Sequence, residues 1–392
     1  MHPVKTGLEL LIENGHPWLA GARLGLLCNP ASVDRNYVHA RDRLIQRFPG
    51  QLKALYSPQH GFHAEKQDNM IESDHMTDCA TGLPVYSLYG ETRMPTPQMM
   101  APIDVLLVDL QDVGTRVYTF IYTLSYCLEA AVTGGIRVIV LDRPNPINGR
   151  DMEGNVLQPE WASFVGRFPI PMRHAMTIGE IARLFNDHIG RGAALDVISM
   201  QGWHRSMWFN DTGLPWVAPS PNMPSVATTM VYPGQVIWEG TNISEGRGTC
   251  LPFELFGAPF LVPQKILEFV GGPRLPGGVL RPCVFEPTSG KHAGRDCHGF
   301  QIHVTAPDRY RPYLTSLGLL QAILHHHRDA FQWKADPYEY EFDKRAIDLI
   351  LGCQEVRQRI SDMESMRSLE TSWQSELEDF RSLRRPYLLY PE

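Results

Sequence analysis

The first 150 residues predict an α/β fold built on a parallel sheet. Short apolar runs alternate with segments of helical periodicity at 37–47 and 118–133, which is the order that builds parallel sheets. Runs such as VLLVDL and VIVLD are continuous rather than alternating, so both faces of these strands are expected to be buried. The candidate strands are 23–28, 52–56, 84–88, 105–109 and 137–141.

Each of these apolar runs ends in a polar loop. The loops begin at Asn29, Ser57, Tyr89, Asp109 and Asp142. Because ligands bind beyond the carboxyl ends of parallel strands, the sequence places five polar loops on one rim of the sheet. The first loop reads GLLCNPAS and lacks G-x-G-x-x-G, and the Walker pattern is absent, so we expect no nucleotide cofactor.

The remainder of the chain predicts further strands and helices. A helix is expected at 176–188, where Thr177 is a plausible N-cap and Glu180 completes a capping box. Other expected elements are strands at 195–200, 279–286 and 299–305, a helix at 312–328 and a charged tail helix at 353–383. A boundary near residues 150–170 divides the chain into an N-terminal domain at 1–165 and a C-terminal domain at 166–392.

Composition limits the class of protein. Of 392 residues, 43% are hydrophobic and 20% are charged, and the net charge is −7. These values describe a soluble globular protein and argue against a nucleic-acid partner, which calls for a basic surface. No apolar stretch reaches the roughly 18 residues of a membrane span, so we expect no membrane partner. The oligomeric state stays open.

The N-terminus and the cysteines predict a cytoplasmic protein. Glu9 and Glu13 interrupt the only apolar window near the N-terminus, which is unlike a secretory signal. The seven cysteines include no C-x-x-C pair, which excludes zinc-ribbon and thioredoxin motifs and suits a reducing compartment.

The segment 238–254 reads WEGTNISEGRGTCLPFE and combines ionisable groups with glycines. Glutamates, an arginine, an asparagine and hydroxyl side chains stand among glycines, a composition too glycine-rich for a helix interior. Such a loop on a rigid scaffold suits a site for a polar substrate. A solvated surface loop is the alternative, although Trp238 and Phe253 are unusual on one.

Other residues at strand ends have both a structural and a functional interpretation. Asp112 suits the positive end of the following helix, whereas Arg116 and Tyr118 are placed to line a pocket rim. His60 follows a buried strand, and His174 precedes a helix; each is either a structural histidine or a site residue. The three consecutive histidines at 325–327 point in different directions on a helix and cannot converge on one metal ion, so we expect no metal.

Taken together, the motifs resemble the family long labelled DUF1343, now associated with exo-β-N-acetylmuramidases of the NamZ type. The matching segments are SPQHGF at 57–62, LPVYSLYG at 83–90, DLQDVGTRVY at 109–118, DRPNP at 142–146, PMRHAMTIGE at 171–180, PSPNMP at 219–224 and the loop at 239–254. The resemblance as a whole extends from about residue 5 to residue 305, and these segments are its clearest part.

The resemblance implies a Rossmann-like domain, a smaller C-terminal α/β domain and a cleft between them. It also implies hydrolysis of a terminal, non-reducing β-linked N-acetylmuramic acid in peptidoglycan fragments. That sugar carries a lactyl carboxylate, an acetamido group and hydroxyl groups. The substrate-binding residues implied are Arg116 or Arg247, Asn145 or Asn242, together with Tyr118, Asp112, His174 and Asn222.

One departure from the family pattern concerns the reaction itself. The family motif usually reads PEHG, and its glutamate is the leading catalytic candidate, but this chain carries Gln59 there. An amide cannot exchange a proton as a carboxyl group does, whereas glycoside hydrolysis usually needs two carboxyl groups. Gln59 can still orient a water molecule or an acetamido group, with His60 beside it.

Three interpretations of Gln59 follow. Another carboxylate takes over, and Glu239, Glu245 and Glu65 are the candidates. Alternatively the acetamido oxygen of the substrate acts as nucleophile. In the third, the protein only binds its sugar. We expect a hydrolase; a non-catalytic muropeptide-binding protein and a hydrolase of another acidic amino sugar are the alternatives.

Overall fold

The computed structural model describes residues 3–68, 70–189, 192–335 and 337–391, which form thirteen strands and twelve α-helices. The strands are β1 Leu24–Cys28, β2 Leu52–Ser57, β3 Met76–Thr77, β4 Pro84–Ser87, β5 Val105–Asp109, β6 Arg137–Leu141, β7 Glu153–Val156, β8 Pro171–Arg173, β9 Leu195–Ile198, β10 Leu255–Ala258, β11 Arg274–Leu275, β12 Gly278–Phe285 and β13 Cys297–Val304. The helices are α1 Gly7–Asn14, α2 Ala40–Arg47, α3 Pro97–Met100, α4 Phe120–Gly134, α5 Ile178–His188, α6 Val226–Gln235, α7 Pro263–Val270, α8 Pro312–His327, α9 Ala346–Leu351, α10 Glu355–Ser361, α11 Met366–Ser372 and α12 Gln374–Arg384.

The large sheet has the strand order β3-β4-β2-β1-β5-β6-β9. All neighbouring strands are parallel except β3, which pairs antiparallel with β4 at the edge. Without β3, this is the order of a doubly wound nucleotide-binding fold, with its switch point between β1 and β5. The predicted α/β class with a Rossmann-like parallel sheet is therefore confirmed.

Helices cover both faces of the large sheet, as the continuous apolar runs predicted. Leu107 of β5 packs in a core with α1 and α2, whereas Leu106 and Val108 face the core formed with α4 and α5. Alternate residues of one strand thus enter different cores, and only a strand buried on both faces needs apolar residues at every position.

The smaller sheet is antiparallel, in the order β10-β13-β12-β11. Helices α6, α7 and α8 pack together beside it, and the ring of Trp238 stacks on Phe256 of β10 with 5.0 Å between centroids. This is the predicted smaller α/β part of the chain.

The predicted tail helix is wrong as a single element. Residues 353–383 form α10, α11 and most of α12 instead. The chain turns after α10, where Met363 has a left-handed φ of 60°, and the Ser365 side chain then caps α11 by accepting from Ser368 N. A charged composition favoured a helix, but it did not reveal these local stops.

The position of β9 bears on the division into domains. Residues 195–198 complete the large sheet beside β6, and residue 165 lies inside the hairpin of β7 and β8. We therefore propose a domain division after β9 rather than at residue 165. Among the described residues, no helix is both long and apolar enough to cross a membrane.

Arg116 connects the large sheet to the C-terminal helices. Its side chain is fully buried, and its guanidinium group donates hydrogen bonds to backbone carbonyl oxygens. The acceptors are Asn155 at 2.8 Å, Ile170 at 3.0 Å, Ile350 at 3.1 Å and Leu351 at 2.7 Å. The last two belong to the C-terminal turn of α9, where the helix dipole favours a cation.

The close approach of α6 and α8 gives the first prediction. A Cβ atom on Gly234 of α6 would lie 1.9 Å from the carbonyl oxygen of Pro312, whereas one on Gly318 of α8 would lie 3.6 Å from its nearest neighbour, Met366 Cγ. We expect Gly234→Ala to lower the free energy of unfolding by about 2–3 kcal/mol. Its control, Gly318→Ala, should raise it by about 0.5–1 kcal/mol. Urea unfolding measures both free energies. If both substitutions changed the free energy of unfolding in the same direction, the packing argument would be contradicted.

Arg116 gives the second prediction. Arg116→Met removes one donor from each of four buried carbonyl oxygens, so we expect a loss of about 3 kcal/mol in the free energy of unfolding. Arg274→Met, at an exposed arginine of β11, is the control and should unfold like the parent. Both are measured by urea unfolding, and unchanged stability of the Arg116 variant would show that these hydrogen bonds are dispensable.

Candidate active site

A small, partly open cavity lies beyond the carboxyl ends of β2 and β5. The segment 236–253 and the loop at 337–344 close it from the other side. Its polar lining residues are Gln59, His60, Tyr118, Thr119, Ser220, Asn222, Tyr232, Glu239, Arg247, Tyr338 and Glu339. Its volume is small, about 30 Å³, which is enough for a water molecule.

Glu239 is a buried carboxylate clamped by two donors. It lies in the 3₁₀ turn Val236–Gly240 that continues α6. Arg247 donates to its Oε1 at 2.7 Å, and the hydroxyl of Tyr338 donates to its Oε2 at 2.6 Å. Burial by itself would raise the pKa of Glu239, but the adjacent Arg247 charge and the two hydrogen bonds lower it below the ordinary value. Glu239 is therefore ionised at neutral pH.

Arg247 lies between two glutamates. Its Nε is 3.4 Å from Glu245 Oε1, and Lys291 contacts the other oxygen of Glu245 at 2.8 Å. Glycines flank it because the loop turns sharply there: Gly246 and Gly248 have φ of 79° and 77°. Glu245 stabilises Arg247 from behind the cavity and is not among its lining residues.

Gln59 and Glu339 form the second polar cluster of the cavity. The hydroxyl of Thr119 donates to Gln59 Oε1 at 2.7 Å, and Gln59 Nε2 donates to Glu339 Oε1 at 3.2 Å. The hydroxyl of Tyr89 donates to the other carboxyl oxygen of Glu339 at 2.7 Å. Gln59, at the position where the family resemblance implies a glutamate, is thus in direct contact with a glutamate from the C-terminal part of the chain.

His60 lines the cavity as a neutral ring. Its backbone is left-handed, with φ of 77°, and its Nδ1 lies 2.7 Å from the carbonyl oxygen of Lys66. Burial lowers the pKa of His60 to about 4, so the ring carries no charge at neutral pH.

Of the thirteen residues predicted from sequence, the cavity brings six together. They are Gln59, His60, Tyr118, Asn222, Glu239 and Arg247. Asn222 also donates to the carbonyl oxygen of Gln67 at 2.7 Å, which fixes the loop after β2 against the segment before α6.

Glu65 and Arg116 are corrections to the predicted site. The exposed Glu65 side chain folds onto its own loop and accepts from His63 N at 3.2 Å, so it does not supply the missing carboxyl group. Arg116 has its guanidinium group on core carbonyl oxygens and cannot reach a substrate carboxylate.

Four further predicted residues hold loops together outside the cavity. Asp112 accepts from Gly114 N at 2.7 Å, and His174 lies fully buried with its Nε2 3.4 Å from Asp112 Oδ2. Asn145 donates to the carbonyl oxygen of Met176 at 3.0 Å. Asn242 binds the backbone of residues 330 and 332. Their polar side chains bind backbone groups or one another and do not face the cavity.

Sequence reasoning missed Tyr338 and Glu339. They lie in the segment PYEYEFDKR at 337–345, after the last segment of the family resemblance. The one signal in the sequence was the alternation of acidic and aromatic residues within the long connection between α8 and α9.

A larger cavity of about 470 Å³ lies between β7 and α12. Its rim includes Arg150, Glu153, Arg311 and Trp373. Arg150 is already paired with Asp151 and Asp308, and no predicted site residue is among the described residues that line this cavity. The smaller cavity is therefore the candidate active site.

Comparison with known proteins places the chain in a family. The family model described as exo-β-N-acetylmuramidase NamZ, N-terminal, matches residues 24–227, and its C-terminal counterpart matches residues 230–390. The peptidoglycan β-N-acetylmuramidase NamZ of Bacillus subtilis is 44% identical over 388 residues, which cover 99% of this chain and 91% of that protein.

Solved structures agree with this assignment. A DUF1343 family protein from Bacteroides fragilis has a TM-score of 0.87 at 34% identity, covering 100% of both chains. A second one from the same organism has a TM-score of 0.76 at 27% identity, covering 99% of each chain. On these matches and on the whole-length family models, the chain belongs to the NamZ family, also known as DUF1343.

Proposed function

We propose that this chain is an exo-acting β-N-acetylmuramidase, which releases terminal, non-reducing β-linked N-acetylmuramic acid from peptidoglycan fragments. The observation that carries the proposal is that two glutamates, Glu239 and Glu339, face one small cavity in a chain of this family. Glycoside hydrolysis usually uses two carboxyl groups. The name of the Bacillus subtilis relative supports the same substrate class.

Glu239 is suited to the part of the reaction in which positive charge develops. The anomeric carbon becomes oxocarbenium-like as the glycosidic bond breaks, and a fixed carboxylate in a water-poor site stabilises that charge strongly. Arg247 and Tyr338 hold Glu239 in its ionised form and in one orientation. A carboxylate so held is a weak base, so its role is electrostatic or nucleophilic.

Substrate entry requires the cavity to open. A space of about 30 Å³ does not hold a sugar ring. The loop at 337–344 supplies Tyr338 and Glu339, and two successive residues there, Glu339 and Tyr340, have left-handed φ of 49° and 67°. This conformation costs free energy in non-glycine residues. We infer that this loop moves to admit the sugar and closes over it.

Arg93 is the cation best placed for the lactyl carboxylate. Arg247 already contacts Glu239 and Glu245. The guanidinium group of Arg93 lies over the rings of Tyr89, Phe164 and Tyr340, at 4.9, 4.6 and 4.3 Å from their centroids, and within the described residues it has no ion pair. Tyr89 is also the donor to Glu339, so Arg93 lies beside the candidate reaction centre.

A cytoplasmic location belongs to the same proposal. The seven cysteines are all free thiols, and Cys79 and Cys250 are exposed. A reducing compartment suits exposed free thiols, and the degradation of internalised wall fragments would take place there.

Turnover of a chromogenic β-N-acetylmuramide tests the proposed function. We expect the purified protein to release the chromophore and, from a disaccharide with muramic acid at its non-reducing end, free N-acetylmuramic acid, detected by chromatography. Saturable muropeptide binding in calorimetry without turnover at any pH would instead favour the binding protein. Preference for another sugar across a glycan panel would favour a hydrolase of a different acidic amino sugar.

The assignment of Arg93 predicts a change in specificity. We expect Arg93→Gln to lower kcat/KM for the β-N-acetylmuramide by about 10- to 100-fold, the size of a lost hydrogen bond to a charged group. The corresponding β-N-acetylglucosaminide lacks the lactyl carboxylate, so we expect the parent protein to hydrolyse it more slowly. Arg93→Gln should not lower kcat/KM for this second substrate further. Arg274→Gln on β11 is the control and should change neither rate. Equal losses on both substrates would contradict carboxylate recognition by Arg93.

A further inference from the structure

Gln59 has the contacts of a residue that positions a neighbouring group. The Thr119 hydroxyl donates to the amide oxygen of Gln59 at 2.7 Å. This contact fixes the orientation of the amide, with its oxygen towards Thr119. The amide nitrogen is thereby directed at Glu339 Oε1, at 3.2 Å. Both partners are buried, and Gln59 itself is 5% exposed.

Glu339 is held at the cavity by three separate segments. Gln59 follows β2, Tyr89 follows β4, and the Glu339 N–H contacts the sulfur of Met70 at 3.2 Å. Its backbone is left-handed, which is uncommon for glutamate and marks a conformation that the surrounding contacts maintain.

The environment of Glu339 favours its protonated form. Burial is the largest influence and raises the pKa of Glu339 above the ordinary glutamate value, and the nearby charge of Glu239 raises it further. The hydrogen bonds from Tyr89 and Gln59 and the charge of Arg93 act in the opposite direction without reversing the shift. Two carboxyl groups with pKa values pushed in opposite directions are the usual sign of divided roles in one site.

We propose that Glu339 is the general acid of the hydrolysis and that Gln59 is the residue that positions its carboxyl group. The proposal rests on the proposed function and deepens it: the proton donor of this chain is a glutamate close to its C-terminus, and the amide at position 59 orients it.

The reaction then balances with water as the sole co-substrate. Glu339 gives its proton to the glycosidic oxygen while the bond from that oxygen to the anomeric carbon breaks, and the leaving sugar departs as an alcohol. Glu239 faces the positive charge that develops. Water adds to the anomeric carbon and returns one proton to the carboxylate of Glu339, which restores the acid.

This cycle fixes the stereochemistry. The same group protonates the leaving oxygen and later deprotonates the water, so water enters from the side on which the leaving sugar departed. The first product released from a β-linked substrate is therefore the β-anomer, which NMR during early turnover detects.

The central experiment compares Glu339→Gln on two substrates. The disaccharide has an alcohol leaving group that needs a proton, whereas a dinitrophenyl glycoside departs as a stable phenolate that does not. We expect kcat/KM of the variant to fall by about 10²–10⁴ on the disaccharide and by less than about 10-fold on the aryl glycoside. Added azide should raise the rate on the aryl glycoside and yield the β-glycosyl azide. Glu268→Gln, at an exposed glutamate of α7, is the matched control.

The outcomes separate this inference from the proposed function. An absence of turnover by the parent protein overturns the proposed function. If the parent protein is active, two results overturn the acid assignment alone. One is an equal loss of kcat/KM on both substrates in the Glu339 variant, and the other is no loss of kcat/KM on the disaccharide. Circular dichroism and thermal melting check that the variant is folded.

The pH profile gives a second test that does not depend on the Glu339 variant. kcat/KM should rise as Glu239 loses its proton, below the ordinary glutamate range, and fall as Glu339 loses its proton, above that range. Tyr89→Phe and Gln59→Leu each remove a donor that stabilises the charged form of Glu339, so each should move the alkaline limb to higher pH.

Gln59→Leu should also lower kcat with little change in KM, and Gln59→Asn should restore part of the lost kcat. If the alkaline limb of the kcat/KM profile does not move in Tyr89→Phe and Gln59→Leu, the inference is overturned.

Discussion

The burial of the Glu239–Arg247 ion pair is the constraint on which the site depends. Leaving either charge alone in this interior would cost about 3–5 kcal/mol, so both need partners on every side. Tyr338 supplies one for Glu239, and Glu245 with Lys291 supplies the support for Arg247. The pair and its partners come from the turn after α6, the glycine-rich loop, the loop between β12 and β13 and the loop before α9. The pair thus draws together segments that carry no regular structure of their own.

That arrangement explains why two glutamates in one cavity differ. Glu239 has a guanidinium group in contact, whereas the side chains that donate to Glu339 in the described part of the chain, Gln59 and Tyr89, are neutral, and Arg93 acts at longer range through its charge. Burial penalises the charge of both groups, but only Glu239 is compensated by a cation at hydrogen-bond distance. The charge of Glu239 then makes ionisation of Glu339 still less favourable. The two pKa shifts are linked, because the ion pair that keeps Glu239 an anion supplies a repulsion that adds to burial in raising the pKa of Glu339.

The sequence predicted the parallel sheet well because its evidence is local. A strand such as β5, buried on both faces, requires an apolar residue at each interior position, and Val105–Val108 meets that requirement. The site was predicted less completely because its evidence is not local. Arg116 and Arg247 both stand near strand ends or in polar loops, and only the fold shows that one binds core carbonyl oxygens and the other a carboxylate. Glu339 lies 280 residues from its partner Gln59, and although the motif SPQHGF contains Gln59, no motif marks Glu339.

The amide at position 59 is consistent with catalysis when its neighbour is considered. A glutamate there would place two carboxyl groups within hydrogen-bond distance, and such a pair shares one proton because both cannot ionise at that separation. Which oxygen then holds the proton depends on small differences between the two environments. Gln59 removes that ambiguity: it can only donate from nitrogen to Glu339, since Thr119 occupies its oxygen. The substitution therefore changes a pair that shares a proton into one titrating acid with a fixed neutral partner, and a proton donor in the cavity is retained.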